Sequence, residues 1–107
     1  MDLKITARTV GDRHVVTLDG LADLSTVPTL MSRLWREVAS ANGATVVIDI
    51  DGLVSLDDVA LGVFLGAAAN AREHGGDLEV LTTSPRWRDR FRATRFEHAV
   101  TVRDRID

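Results

Sequence analysis

Four aspartates lie close together in the middle of the chain, and their carboxylates are the groups best suited to chemistry. Asp49 and Asp51 end an apolar run, and Asp57 and Asp58 follow shortly after. Carboxylate oxygens suit Mg²⁺ or Ca²⁺, and a carboxylate can also act as a nucleophile. The chain has no cysteine, and its three histidines are scattered. We therefore expect neither a metal site nor a cofactor.

The first aspartate pair is similar to a catalytic motif. The segment VVIDIDG, residues 46–52, resembles the Asp-x-Asp-Gly motif of haloacid dehalogenase-type phosphatases, in which one aspartate attacks phosphorus beside Mg²⁺. The threonine that follows in that motif is Leu53 here, and the remainder of the chain is too short for the other parts of that fold. A small aspartate-dependent phosphatase is kept only as an alternative, and we expect no enzyme.

Composition predicts one globular domain spanning residues 1–107. The chain is 45% hydrophobic and 27% charged, enough for a buried core and a charged surface. A net charge of -3 gives no support to nucleic-acid binding. The start MDLKITARTV lacks the apolar run of a secretion signal, and no stretch approaches the roughly 20 apolar residues that span a bilayer. We expect a cytoplasmic protein without membrane insertion.

Alternation and helical periodicity predict the elements that position these residues, in the order ββαβαβαβ. The expected fold class is α/β, with a mixed β-sheet flanked by helices. Ser25 is a candidate helix cap, and the short apolar run after Gly43 is expected to be a central strand covered on both faces. The predicted elements are a hairpin over 3–18, helices over about 26–41, 58–74 and 85–93, and strands over 45–50, 78–81 and 99–102.

The predicted first helix has one apolar face and one polar face. Its apolar positions recur every three or four residues, whereas Arg33, Arg36 and Glu37 fall on the other side. Met31 and Trp35 belong to the apolar set. This helix should therefore cover the sheet.

The predicted second helix is apolar around almost its whole circumference over its first two turns. Val59 and Val63 are expected on a different side from Leu61, so some apolar surface should meet a neighbouring helix or a partner. Gly62 and Gly66, four residues apart, would let another backbone come close. Asp57 or Asp58 before these turns is expected to act as an N-cap.

The same segment resembles the signature of the STAS domain, the anti-sigma factor antagonist family, whose pattern is Asp-Ser-Ser-Gly-Leu-Gly. Asp57, Leu61 and Gly62 stand at the motif's aspartate, leucine and final glycine. The three middle positions differ and carry Asp58, Val59 and Ala60. Further similarities occur in the same order along the chain, at Leu18-Asp19-Gly20 with Asp23 and Thr26, at Gly75-Gly76, and at Ser84-Pro85 with Phe91.

The resemblance implies a protein-binding module that docks on an anti-sigma factor, the switch kinase, through this loop and helix. In that family, phosphorylation of the motif's second serine ends binding, and Val59 stands at that position without a hydroxyl. We therefore expect a lost switch, with Ser55 as the first other site to examine. The residues expected near the contact surface are Asp23, Asp57, Asp58, Val59, Leu61, Gly62 and Val63.

Two points stay open at this stage, and one further helix is interpreted without a function. A STAS subunit of a lipid-transport ABC system, in which a phosphoacceptor is also unnecessary, is the alternative partner-binding function. The oligomeric state is not predicted. The predicted third helix carries several arginines around Trp87 and Phe91, and we interpret them as a solvated face, with the two aromatic rings anchored in the core.

Overall fold

A computed structural model describes residues 2–106. The five strands and three helices follow the predicted order, so the α/β fold class with its mixed sheet is confirmed. A short 3₁₀ turn, Phe96–His98, lies before the last strand. The elements are β1 (Leu3–Val10), β2 (Arg13–Ala22), α1 (Val27–Ser40), β3 (Thr45–Leu56), α2 (Asp58–Glu73), β4 (Asp77–Leu81), α3 (Pro85–Ala93) and β5 (Thr101–Arg103).

The strands lie in the sheet in their order along the chain, β1-β2-β3-β4-β5. β1 pairs antiparallel with β2 through a tight turn at Gly11, whose φ of 60° suits glycine. All other neighbouring pairs are parallel. The pairing of β2 with β3 is irregular near Asp19, and a side chain at Gly52 would overlap the Asp19 carboxylate. The close approach of β2 to β3 at this point therefore requires glycine at position 52.

The helices cover one face of the sheet, so the expectation that the central strand is covered by helices on both faces is wrong. Alternate residues of β3, such as Val46 and Ile48, join the main core with side chains from all three helices. Val47 points to the other face, where it packs with Val15 and Leu81 in a small separate cluster that Ile106 partly covers. Strand neighbours, and partly the chain after β5, bury Val47 on this face.

Several predicted boundaries shift. β3 continues to Leu56, so Ser55 and Leu56 belong to a strand rather than to a loop. The last strand starts at Thr101, because Ala99 and Val100 form a turn after the 3₁₀ helix rather than pairing with β4. α1 has no side-chain cap, and the Ser25 hydroxyl donates instead to Asp23 Oδ1 at 2.7 Å.

Glu37 is the main correction on α1, because this carboxylate is buried rather than solvated, with 8% exposure. Its Oε2 lies 2.9 Å from His14 Nε2, and its Oε1 lies 3.3 Å from Arg33 Nε. The two partners replace the water that a buried carboxylate loses. The cluster ties β2 to α1.

Candidate functional site

The loops that carry the predicted contact residues follow the carboxyl ends of two neighbouring strands. Ala22 and Leu56 are register partners at the ends of the parallel strands β2 and β3. The backbone N–H of Asp57 donates to the carbonyl of Ala22 at 2.9 Å, which joins the two loops directly. The β2–α1 loop with Asp23 therefore lies beside the start of α2.

Asp23 organises its own loop. Its Oδ1 accepts hydrogen bonds from the Ser25 hydroxyl at 2.7 Å, the Ser25 N–H at 3.0 Å and the Thr26 N–H at 3.2 Å. These bonds, chiefly the one from the Ser25 hydroxyl, hold the pKa of Asp23 below its usual value. Leu24 at the tip of the loop is 75% exposed. The carboxylate thus shapes the loop that presents this leucine.

Asp57 occupies the N-cap position of α2, as predicted, but its side chain makes no capping hydrogen bond. Its carbonyl starts the helix by accepting from the N–H of Ala60 at 2.9 Å. Asp58 lies in the first turn, where a negative charge complements the helix dipole. Its Oδ1 accepts from Arg90 Nη2 of α3 at 2.7 Å, although the Asp58 side chain is 85% exposed. The charge beside Val59 therefore has a partner.

The remaining predicted contact residues separate into exposed and buried sets. Val59 is 38% exposed, and Gly62 is exposed with no atom within 4 Å of where a Cβ would lie. Leu61 and Val63 are buried, with 6% and 7% exposure, so neither is available at the contact surface where both were predicted to lie. Both belong to the core cluster that α2 shares with the other helices.

Sequence reasoning missed the largest exposed apolar side chains at this place. Met31 and Trp35, from the predicted apolar face of α1, are 48% and 37% exposed, and Leu65 on α2 is 40% exposed. A Cβ at Gly66 would lie 3.0 Å from Trp35 Cη2, so glycine lets the indole ring lie against α2. Gly66 thus receives a side chain, not the backbone that was expected.

Trp35 of α1 lies against Gly66 of α2, so the exposed residues of the two helices lie side by side there, with Leu65 toward the segment that follows α3. α1 and α2 each follow one of two parallel strands, so the helices run in the same direction, with Met31 one turn before Trp35 and Gly62 one turn before Gly66. In the sequence, Gly66 is the feature that could have indicated this contact, because a bulky ring can lie against α2 only where the helix carries a small residue. We call this the α1/α2 surface, formed by Met31, Trp35, Val59, Gly62, Leu65 and Gly66.

In the phosphatase-like segment, Asp51 stabilises the loop between β4 and α3, and Asp49 contacts the backbone of Asp51. Asp51 Oδ1 accepts from the Thr82 hydroxyl at 2.7 Å and the Thr83 N–H at 2.8 Å, and its Oδ2 accepts from the Thr83 hydroxyl at 2.7 Å. Partial burial favours the neutral acid, but these hydrogen bonds prevail and lower the pKa of Asp51. Asp49 Oδ1 accepts from the Asp51 N–H at 3.1 Å. Within residues 2–106, no three histidine or acidic side chains are grouped to hold a metal ion.

The arginines of α3 have varied surroundings. Trp87 and Phe91 are buried, as predicted for the anchors of this helix. Arg92 pairs with Asp89 at 3.0 Å, and the Arg86 guanidinium lies 4.4 Å from the centre of the Trp87 ring. Most of these cations are therefore committed to local contacts.

Comparison with known proteins identifies the family and its fold. The family model for the STAS domain matches residues 4–107. A search of curated proteins finds no significant sequence match. No helix within residues 2–106 is long and apolar enough to cross a membrane.

Solved structures share the fold at low sequence identity. An anti-sigma factor antagonist from Mycobacterium paratuberculosis is 20% identical, with a TM-score of 0.86 over 99% of this chain and 89% of that chain. A STAS domain protein from Planctomyces limnophilus is 13% identical, with a TM-score of 0.78 over 99% and 92% of the two chains. The phosphorylated form of the Bacillus cell fate determinant SpoIIAA is 18% identical, with a TM-score of 0.68 over 92% and 90%.

Proposed function

The chain belongs to the STAS domain family, and from this membership we propose that it is a protein-binding regulatory module of the anti-sigma factor antagonist type. Its partner in this proposal is an anti-sigma factor that is also a switch kinase. Solved structures of similar fold carry the name anti-sigma factor antagonist, which supports this class of partner. The proposed role is binding rather than catalysis.

One observation carries the proposal, namely the apolar α1/α2 surface beside the start of α2. Met31, Trp35 and Leu65 are large apolar side chains that remain 37–48% exposed on the described chain. Contiguous apolar patches on small domains often mark binding sites, and aromatic side chains supply much of the binding energy there. Gly62 leaves a flat place on this surface where a partner can approach closely.

The regulation proposed for this surface is the absence of a phosphorylation switch at Val59. A phosphate adds about -1.5 to -2 charge at neutral pH and would oppose docking on an apolar surface. Val59 offers no oxygen to a kinase. Asp58 next to it is a weak imitation of a phosphate, because it carries one charge and already pairs with Arg90. Ser55 lies half-buried in β3 and is the first hydroxyl to examine.

Both aspartates of the phosphatase-like segment have structural contacts. Asp51 accepts hydrogen bonds from Thr82 and Thr83, and Asp49 Oδ1 accepts from the Asp51 N–H, which favours a role in the fold for this pair. We expect no turnover of a generic phosphatase substrate in the presence of Mg²⁺. Turnover that disappears in Asp49→Asn would restore the phosphatase alternative.

The binding test uses a pair of matched lysine substitutions. Gly62→Lys places a long side chain on the α1/α2 surface without a clash in the fold, since no atom lies within 4 Å of the new Cβ. Thr6→Lys adds the same charge to exposed β1, on the sheet face opposite the helices. We expect Gly62→Lys to weaken binding to a candidate switch kinase by roughly 30-fold, the loss typical of a disrupted hot spot. Thr6→Lys should bind like the parent protein.

Two outcomes would contradict this proposal. Equal loss of affinity in both variants would show that the α1/α2 surface has no special role. Binding to the ATPase of a lipid-transport ABC system, and not to any anti-sigma factor, would transfer the function to the alternative partner. Incubation with ATP and the kinase, followed by intact-mass measurement, tests the lost switch separately. Stoichiometric addition of a phosphoryl group would refute it.

A further inference from the structure

A small, mainly apolar pocket lies beside Leu65, between α2 and the segment that follows α3. Its volume is about 140 Å³. An apolar cavity of roughly 150 Å³ accommodates a benzene ring, so one large apolar side chain would fill a pocket of this size. We call it the Leu65 pocket, lined by Leu61, Leu65, Thr94, Arg95, Phe96 and Ala99.

The walls of the pocket are held in place by the fold. Phe96 is 3% exposed and belongs to the main core. The Thr94 hydroxyl donates to the carbonyl of Arg90 at 2.8 Å, so this polar group of the lining already has a partner. Arg72 Nη2, near the end of α2, donates to the carbonyl of Ala99 at 2.7 Å and ties the two sides together. A preformed pocket loses little conformational freedom when a side chain enters it.

Arg95 carries the single charge among the residues that line the pocket. Arg95 is exposed, and within residues 2–106 its guanidinium makes no hydrogen bond or ion pair. The arginines just before it differ, because Arg90 pairs with Asp58 and Arg92 pairs with Asp89. A carboxylate on a partner would therefore meet an accessible guanidinium without a competing acid at the edge of the pocket.

The backbone of Arg95 adds an independent observation. Its φ of 59° and ψ of 19° are left-handed, directly after the C-cap of α3. Glycine or asparagine is usual at such a position. Among the described non-glycine residues, positive φ occurs only here and at Asn42. Strain of this kind at other residue types is concentrated at functional sites. Since the Arg95 side chain makes no polar contact within the fold, its use is expected to lie in a contact with a partner.

We propose that the Leu65 pocket is an anchor site for the protein that docks on the α1/α2 surface. The docking segment carries a large apolar side chain next to a carboxylate. The apolar side chain enters the pocket, and the carboxylate pairs with Arg95. A basic segment is disfavoured because Arg95 would repel it. This inference rests on the proposed function, since Leu65 belongs both to the pocket and to the α1/α2 surface.

The first test measures the affinity of the full chain and its variants for a candidate switch kinase. Arg95→Gln is expected to weaken binding roughly fivefold at low salt and less at high salt, because salt screens an exposed ion pair. Arg95→Lys keeps the charge and should retain most of the affinity. Arg36→Gln is the matched control, because Arg36 is also exposed without an ion pair within residues 2–106 but lines a groove beside β1. It should bind like the parent protein.

Arg95→Gly separates binding from folding. Glycine adopts a φ of 59° without strain, so the melting temperature of this variant should equal or exceed that of the parent protein. Its affinity for the kinase should fall at least as far as that of Arg95→Gln. A lower melting temperature with unchanged affinity would assign Arg95 to the fold and overturn the proposal.

Occupation of the pocket is measured by intermolecular NOEs in the complex. We expect NOEs between protons of the kinase and the methyl groups of Leu61 and Ala99, which line the pocket. If Gly62→Lys weakens binding while Arg95→Gln does not, or if the complex shows no NOE at these methyl groups, the anchor site is refuted and the proposed function stands. If the parent protein does not bind the kinase, or if neither variant weakens binding, the proposed function is refuted together with its anchor site.

Discussion

Two glycine-to-alanine substitutions on α2 should have different effects on stability. Gly62 and Gly66 lie one turn apart inside the same helix. Replacing an exposed helical glycine by alanine stabilises a protein by roughly 0.5–1 kcal/mol, because the unfolded chain loses freedom. No atom lies within 4 Å of a Cβ at Gly62, so Gly62→Ala should show this whole gain. The melting temperature should rise by roughly 2–8 °C for a domain of this size.

Gly66→Ala has the same backbone advantage but meets the Trp35 ring. The new Cβ would lie 3.0 Å from Trp35 Cη2, so the indole must move by a few tenths of an ångström. Trp35 is 37% exposed and can yield, which places the cost at the low end of the range for overpacking. We expect Gly66→Ala to be less stable than Gly62→Ala by roughly 1 kcal/mol.

Urea unfolding of both variants measures this difference, with equal m-values as the check that the comparison is valid. A Trp35→Ala background supplies the control, because the two alanine substitutions should then have the same effect. If Gly62→Ala is destabilising, the environment described for α2 is wrong. If Gly66→Ala equals Gly62→Ala while Trp35 is present, the indole does not lie on α2.

Two further predictions concern polar contacts in the fold. Asp51→Ala should lower the free energy of unfolding by roughly 1–3 kcal/mol, because the buried Thr82 hydroxyl loses its hydrogen-bond acceptor. Asp51→Asn should cost less, because the amide oxygen can still accept that hydrogen bond. Equal urea midpoints for the two variants would contradict this prediction. Burial opposes the ionised form of Glu37, but hydrogen bonds from His14 and Arg33 prevail and hold its folded-state pKa below 4.5. The stability that the Glu37 carboxylate contributes is therefore present above pH 4.5 and is lost as the pH falls through the lowered folded-state pKa. In Glu37→Gln, the unfolding free energy should therefore fall less steeply as the pH is lowered through this range.

The order of elements was predictable because it depends on local patterns. Alternation identified β1 and β2, and helical periodicity with glycine stops identified α1 and α2. The predicted boundaries were less accurate where a strand carries polar residues. β3, predicted to end at residue 50, extends through the acidic segment to Leu56. Pairing with β2 up to Ala22 stabilises this extension, and a single segment does not reveal such pairing.

The candidate site was only partly predictable, because exposure depends on neighbours distant in sequence. Val63 is buried by packing among helices, whereas Trp35 stays half-exposed on a helix whose buried stripe is complete without it. Glu37 is polar yet buried because His14, 23 residues earlier in the chain, meets it. Periodicity identifies an apolar face but not what covers it.

The most direct test of the proposed docking surface is a methyl NMR footprint of the complex with a candidate switch kinase. We predict that the methyl signals of Met31, Val59 and Leu65 shift or broaden when the kinase is added. Val10 is exposed to the same degree as Val59 but lies on β1, so its signal should not change. A footprint at Val10 that spares Met31, Val59 and Leu65 would contradict the account.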